Sequence, residues 1–95
     1  MFSNKDIQFI HEPARLQLIL CLDSINKADF NFLRNATQLS KGNMSIQMGK
    51  LKEKGLVTIE KMIKNNKSYT VYQITSEGKK TLAAYKKEIL KILGH

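Results

Sequence analysis

Between Ser40 and Lys50 the chain reads SKGNMSIQMGK, which mixes hydroxyls, amides, lysines and glycines with spaced apolar residues. Asn43 and Gln47 carry carboxamides that donate and accept at once, Lys41 and Lys50 are cations, and Ser40 and Ser45 add hydroxyls. These groups serve hydrogen bonding rather than bond breaking. A carboxamide can pair bidentately with adenine, a lysine can reach guanine acceptors, and an aliphatic side chain such as Ile46 can meet the thymine methyl. A second set follows at Lys64, Asn65, Asn66, Lys67 and Ser68, two cations flanking two amides. That set suits a phosphate backbone or a minor groove.

The elements that must carry these residues follow from period and capping. Ser40 is a good N-cap for a helix over Lys41–Lys54, and Gly55 is a typical residue just beyond a helix end. On a wheel at about 100° per residue, Met44, Met48 and Leu51 cluster as an inward stripe. Gly42, Ile46, Gly49, Lys50 and Glu53 fall on the opposite side, with Asn43, Ser45 and Gln47 on its flanks. The outward face therefore combines small residues that permit close approach with donors, a cation and one isoleucine. Ile46 either contacts a ligand there or lies under a neighbouring helix.

Upstream, Asp29 caps a short helix from Phe30 to about Gln38, and Asn26–Asp29 reads as a polar turn. Pro13 opens a helix to about Ile25, with Glu12 a mediocre cap before it. That helix is apolar most of the way round, through Leu16, Leu18, Ile19, Leu20, Cys21 and Leu22, as expected of an element buried on more than one side. Ile7 and Ile10 belong to a short helix before Pro13. After Gly55 the period switches to two. LVTIEKMI (Leu56–Ile63) and YTVYQIT (Tyr69–Thr75) read as strands about a five-residue turn, a β-hairpin. Thr75 then caps a last helix from Ser76 to about Leu93. The fold class is mostly α with a small β-hairpin (α+β), and a short helix, a tight turn and a second helix with a polar face match the helix-turn-helix arrangement.

Charge singles out the same middle segment. The chain has 95 residues and a net charge of +8. Residues 1–40 balance to zero, residues 41–67 carry seven lysines against two glutamates (+5), and residues 68–95 carry five lysines against two glutamates (+3). A merely solubilising surface would spread charge more evenly. The length bounds the chain to one domain, 1–95. The apolar runs are too short to span a bilayer, and MFSNKDIQFI lacks the basic and apolar regions of a secretion signal. A single thiol, Cys21, fits a reducing cytoplasm and reads as a small buried apolar residue. No glycine-rich loop follows a strand and no nucleophile sits beside a base, which argues against an enzyme.

The phrases D-F-x-x-L at Asp29–Leu33, L-S-x-G-N-M-S at Leu39–Ser45, L-x-x-x-G-L-V at Leu51–Val57 and I-T-x-x-G-K at Ile74–Lys79, with Pro13-x-Arg15-Leu16, carry a family resemblance. From about Pro13 to Leu90 the chain resembles winged helix-turn-helix regulators of the MarR/ArsR type, especially the small stand-alone branch with one domain per chain. The resemblance implies a homodimeric repressor or activator on a pseudo-palindromic operator in double-stranded DNA. Within that arrangement Asn43, Ser45, Ile46, Gln47 and Lys50 are the expected recognition residues on a helix that Ser40 and Lys41 anchor to the backbone, and Lys64, Asn65, Asn66, Lys67 and Ser68 are the expected wing contact. Many relatives carry arginine at the wing tip, and its absence here argues against deep minor-groove insertion. Relatives place small-molecule effectors at the dimer interface; this sequence names none. Their metal-sensing branch uses Cys-rich or His-rich sites, whereas Cys21, His11 and His95 supply no metal ligand set and no cofactor is implied.

Leu82, Tyr85, Ile89 and Ile92 step by three, four and three along the last helix, a short seam of coiled-coil type. With Ile7, Ile10 and Leu18 it is the expected dimer interface; packing inside the monomer is the alternative. Lys79, Lys80, Lys86 and Lys87 read as a solvated face. The alternative to a regulator is a winged-helix protein-interaction module whose basic face docks an acidic partner. Attachment to a membrane is disfavoured, because the apolar side of the last helix is committed to the seam.

Overall fold

The computed structural model of the chain describes residues 4–94, so Met1, Phe2, Ser3 and His95 lie outside the described residues. Its elements run α1 (Lys5–Ile10), α2 (Pro13–Ile25), β1 (Lys27–Asp29), α3 (Phe30–Thr37), α4 (Lys41–Glu53), β2 (Val57–Lys64), β3 (Lys67–Ile74) and α5 (Ser76–Ile92). The expected helices are all present with boundaries shifted by at most a residue or two. Asp29, Ser40 and Thr75 each cap as expected, accepting from the backbone N–H of Phe32, Asn43 and Gly78 at 2.8, 3.1 and 2.9 Å. Glu12 is a better cap than its residue type suggests. Its two carboxylate oxygens accept separately from the N–H groups of Ala14 and Arg15, at 3.0 and 2.9 Å. Burial opposes ionisation of Glu12, but those two N–H groups and the charges of Arg15 and Lys50 outweigh it and hold the carboxyl below its ordinary pKa.

Two readings of the sequence are corrected. Residues Lys27–Asp29, expected as turn, form an edge strand paired antiparallel with β3, with Ala28 opposite Tyr72. Three residues are too few to show an alternating pattern, so their pairing is set by where β3 lies. The sheet order is β1-β3-β2. The hairpin turn is not five residues but two, Asn65 and Asn66, whose φ angles of 52° and 61° are those of a primed turn. Lys64 and Lys67, expected as loop, thus form the last cross-strand pair.

The core holds Ile10, Leu18, Ile19, Leu22, Leu33, Met44, Met48, Leu51, Leu56 and Leu82, each almost wholly removed from water. α2 lies at its centre and packs against α1, α3, α4, α5 and the sheet, which explains its nearly all-round apolar surface. Cys21 is half-buried against this core. Burial pushes its thiol pKa up, which suppresses the reactive thiolate and agrees with an apolar packing role. α4 and α5 are locked to each other through the chain between them. Gly55 ends α4 with φ +74°, and its carbonyl accepts from the Thr75 hydroxyl at 2.7 Å while that same hydroxyl caps α5. At Gly78 a Cβ would sit 2.2 Å from the Leu56 carbonyl oxygen, so only glycine lets α5 start this close to β2.

Candidate nucleic-acid interface

α4 divides cleanly between its two sides. Met44, Met48 and Leu51 are fully buried, whereas Lys41, Gly42, Asn43, Ser45, Ile46 and Lys50 are exposed. Ile46 retains 59% of its surface, which removes the reading in which a neighbouring helix covers it. A Cβ built on Gly42 or Gly49 would meet nothing within 4 Å. The fold itself does not require glycine at either position. Both lower helix propensity and both leave the backbone open to close approach from outside.

Between the N-terminal half of α4 and the hairpin lies a groove of about 350 Å³. Lys41 and Ser45 line it from the helix, Ser68 and Thr70 from β3, and Asp29 and Phe30 from the start of α3. The groove brings together Lys41, Ser45 and Ser68, residues that stand far apart in the chain. Thr70 and Tyr69 also line it but escape sequence reasoning, because their strand pattern looks purely structural. At the hairpin tip Lys64 and Lys67 face each other across the ladder with nothing between them but the Asn65–Asn66 turn. Like charges in such a pair repel, and an anion lying over the tip relieves the repulsion. Ile63 and Met62 beside them are exposed, so the tip is both basic and partly apolar.

Gln47 is a partial exception to the expected recognition face. It is half-buried, and its Oε1 accepts from Arg15 Nη1 at 2.8 Å while its Nε2 donates to Asn43 Oδ1 at 3.2 Å. Arg15 was legible in the sequence only as part of a helix start. Ser40 uses its hydroxyl oxygen as the α4 cap, accepting from the Asn43 N–H.

The expected dimer seam is corrected in part. Ile7, Ile10, Leu18, Leu82 and Tyr85 are buried within the single chain, where α1 and α2 cover the first half of α5. The Tyr85 hydroxyl also pairs with His11 Nδ1 at 2.9 Å. A seam on α5 therefore begins inside the monomer and emerges only toward its end. Ile89 is half-buried, and Leu90, Ile92 and Leu93 are exposed.

Among the described residues no three His, Cys, Asp or Glu side chains come together as a metal site, and no helix is long and apolar enough to cross a membrane. What the arrangement can do is hydrogen-bond and neutralise an extended anionic partner along α4, the groove and the hairpin tip.

Comparison with known proteins agrees with that geometry. A family model described as a winged helix DNA-binding domain matches residues 14–93. A protein of Methanocaldococcus jannaschii, itself uncharacterised, is 26% identical over 86 residues, which cover 90% of this chain and 94% of the relative. The structure of a transcriptional regulator homologue from Pyrococcus horikoshii OT3 matches with a TM-score of 0.76 at 28% identity, covering 93% of this chain and 94% of that one. A MarR-family transcriptional regulator from Silicibacter pomeroyi shares the fold at 18% identity and a TM-score of 0.67, over 84% of this chain and 51% of that one.

Proposed function

This chain belongs to the winged helix DNA-binding domain family, and from that premise we propose that it regulates transcription as a homodimer on a pseudo-palindromic operator. It acts by binding, not catalysis. The observation that carries this reading is the groove in which Lys41 and Ser45 of α4 meet Ser68, the neighbour of Lys67 at the basic hairpin tip. α4 lies in the major groove, where Asn43, Ser45, Ile46 and Lys50 meet base edges. Ser40 and Lys41, at the helix N-terminus, hold a backbone phosphate. Lys64, Asn65, Asn66, Lys67 and Ser68 lie along the neighbouring backbone.

The apolar end of α5, Ile89, Leu90, Ile92 and Leu93, is the surface a second copy covers. Association there sets two α4 helices about one DNA turn apart, roughly 34 Å. Selection of bound duplexes from a random pool tests the reading. It expects a palindrome whose half-sites repeat at about ten base pairs. Enrichment of no sequence would instead favour a winged helix used to dock an acidic protein.

A further inference from the structure

Arg15 sits in α2 with only 15% of its side chain exposed, and its guanidinium is engaged both along its edge and on one face. Nε donates to the Phe9 carbonyl at 2.7 Å, the plane lies 4.3 Å from the Phe9 ring centroid, and Nη1 stands 3.7 Å from Glu12 Oε2. The same Nη1 donates to Gln47 Oε1 at 2.8 Å. Partners from α1, the α2 cap and α4 fix the group in place.

A guanidinium has donors and no acceptor, so the Gln47 atom that faces it must be the oxygen. The Gln47 amide nitrogen is then turned the other way, toward Asn43, 3.2 Å from its side-chain oxygen. The Asn43 atom that meets an N–H must in turn be Oδ1, which leaves the Asn43 Nδ2 donors to face outward. Arg15 thus sets the polarity of two successive amides. Gln47, bonded through both its oxygen and its nitrogen, is a bracket between Arg15 and Asn43.

We propose that Arg15, acting through Gln47, is a specificity-positioning residue that makes Asn43 read its base pair as a donor. This rests on the reading in which α4 enters the major groove. Guanine offers two neighbouring acceptors there, N7 and O6, whereas adenine sets an N6 donor beside N7. The Asn43 oxygen that adenine N6 requires is turned toward Gln47, with one of its two lone pairs occupied there. The base under Asn43 is therefore guanine in preference to adenine.

Selection of bound duplexes by the full chain and its variants, with competition mobility shifts, tests this. Asn43→Ala and Gln47→Ala should both flatten the guanine preference at the same one position per half-site. Arg15→Ala should flatten it too, with circular dichroism showing the fold retained. Gln47→Glu is the sharper variant, because it keeps the Arg15 partner and does not depend on Arg15→Ala folding. A carboxylate can only accept, so Asn43 must turn its nitrogen inward and its oxygen outward. The preference at that position should shift from guanine toward adenine or cytosine, by roughly fivefold or more. Retention of guanine by Gln47→Glu overturns the proposal. So does a Gln47→Ala that alters a base pair untouched by Asn43→Ala, since Gln47 would then be a reader itself. A wild type that enriches no motif overturns the α4 placement and this assignment together.

Discussion

α4 and α5 are the two helices that contain both glycines and exposed apolar residues, and they use both in opposite ways. In α5 the glycine is jammed: Gly78 lies against the Leu56 carbonyl, and Leu82 and Tyr85 follow it into the core. In α4 the glycines open on empty space, and a single isoleucine stands among amides, serines and lysines. The apolar residues left over on α5 gather at its end, where Leu90, Ile92 and Leu93 adjoin one another. One helix is held by packing and ends in a surface suited to another apolar surface. The other is held by one side only, and its second side is free of structural duty. That second side stands beside the groove that Lys41 and Ser45 share with Ser68 and Thr70.

The largest effect that tests this contrast is at Gly78. Gly78→Ala should lower the free energy of unfolding by on the order of 3 kcal/mol, since backbone rather than a flexible side chain blocks the Cβ. Urea unfolding that shows no change would remove the contrast between the two sets of glycines. Next comes the end of α5. Leu90→Asp should leave the monomer folded, because Leu90 is half exposed, yet weaken self-association roughly tenfold or more by placing a charge in an apolar contact. Sedimentation equilibrium reads this, and an unchanged dimer would move the interface elsewhere.

At the hairpin tip, the double change Lys64→Ala with Lys67→Ala should weaken binding to all duplexes alike. It should also reduce the slope of log affinity against log salt by about 1.8 per protomer if both lysines neutralise phosphates. A slope that stays put in salt-titrated mobility shifts would take the tip off the DNA. The smallest effect is at Gly49. Gly49→Ala should stabilise the chain by about 0.5–1 kcal/mol, since the space is open and alanine is the better helix former. Thermal unfolding should show the gain, while a mobility shift should show weaker DNA binding from the lost close approach.

Much of the candidate site was legible because its signals are local. Ser40 and Gly55 delimit α4 by capping chemistry, and the Met44, Met48, Leu51 stripe orients it, so the exposed side followed from the wheel. The lysine excess of residues 41–67 pointed to the same place. What escaped was set by distance in the chain. β1 exists only because β3 runs beside it, and the Lys50 charge that helps to keep the Glu12 carboxyl ionised arrives from another helix. The dimer seam was misjudged at its start, where periodicity marks an apolar face without saying which neighbour covers it. α1 and α2 cover Leu82 and Tyr85, leaving only the last turns free.

By itself the sequence determined the order and type of the main elements, the address of the charge and the polarity of α4, all of which follow from spacing, capping and composition. Only the tertiary structure decided which apolar residues face outward, which distant side chains share the groove, and that Gln47 is hydrogen-bonded to Arg15. Spacing along one helix cannot show a partner that arrives from another, and a hydrogen bond between residues 32 positions apart exists only once the core has brought α2 and α4 together.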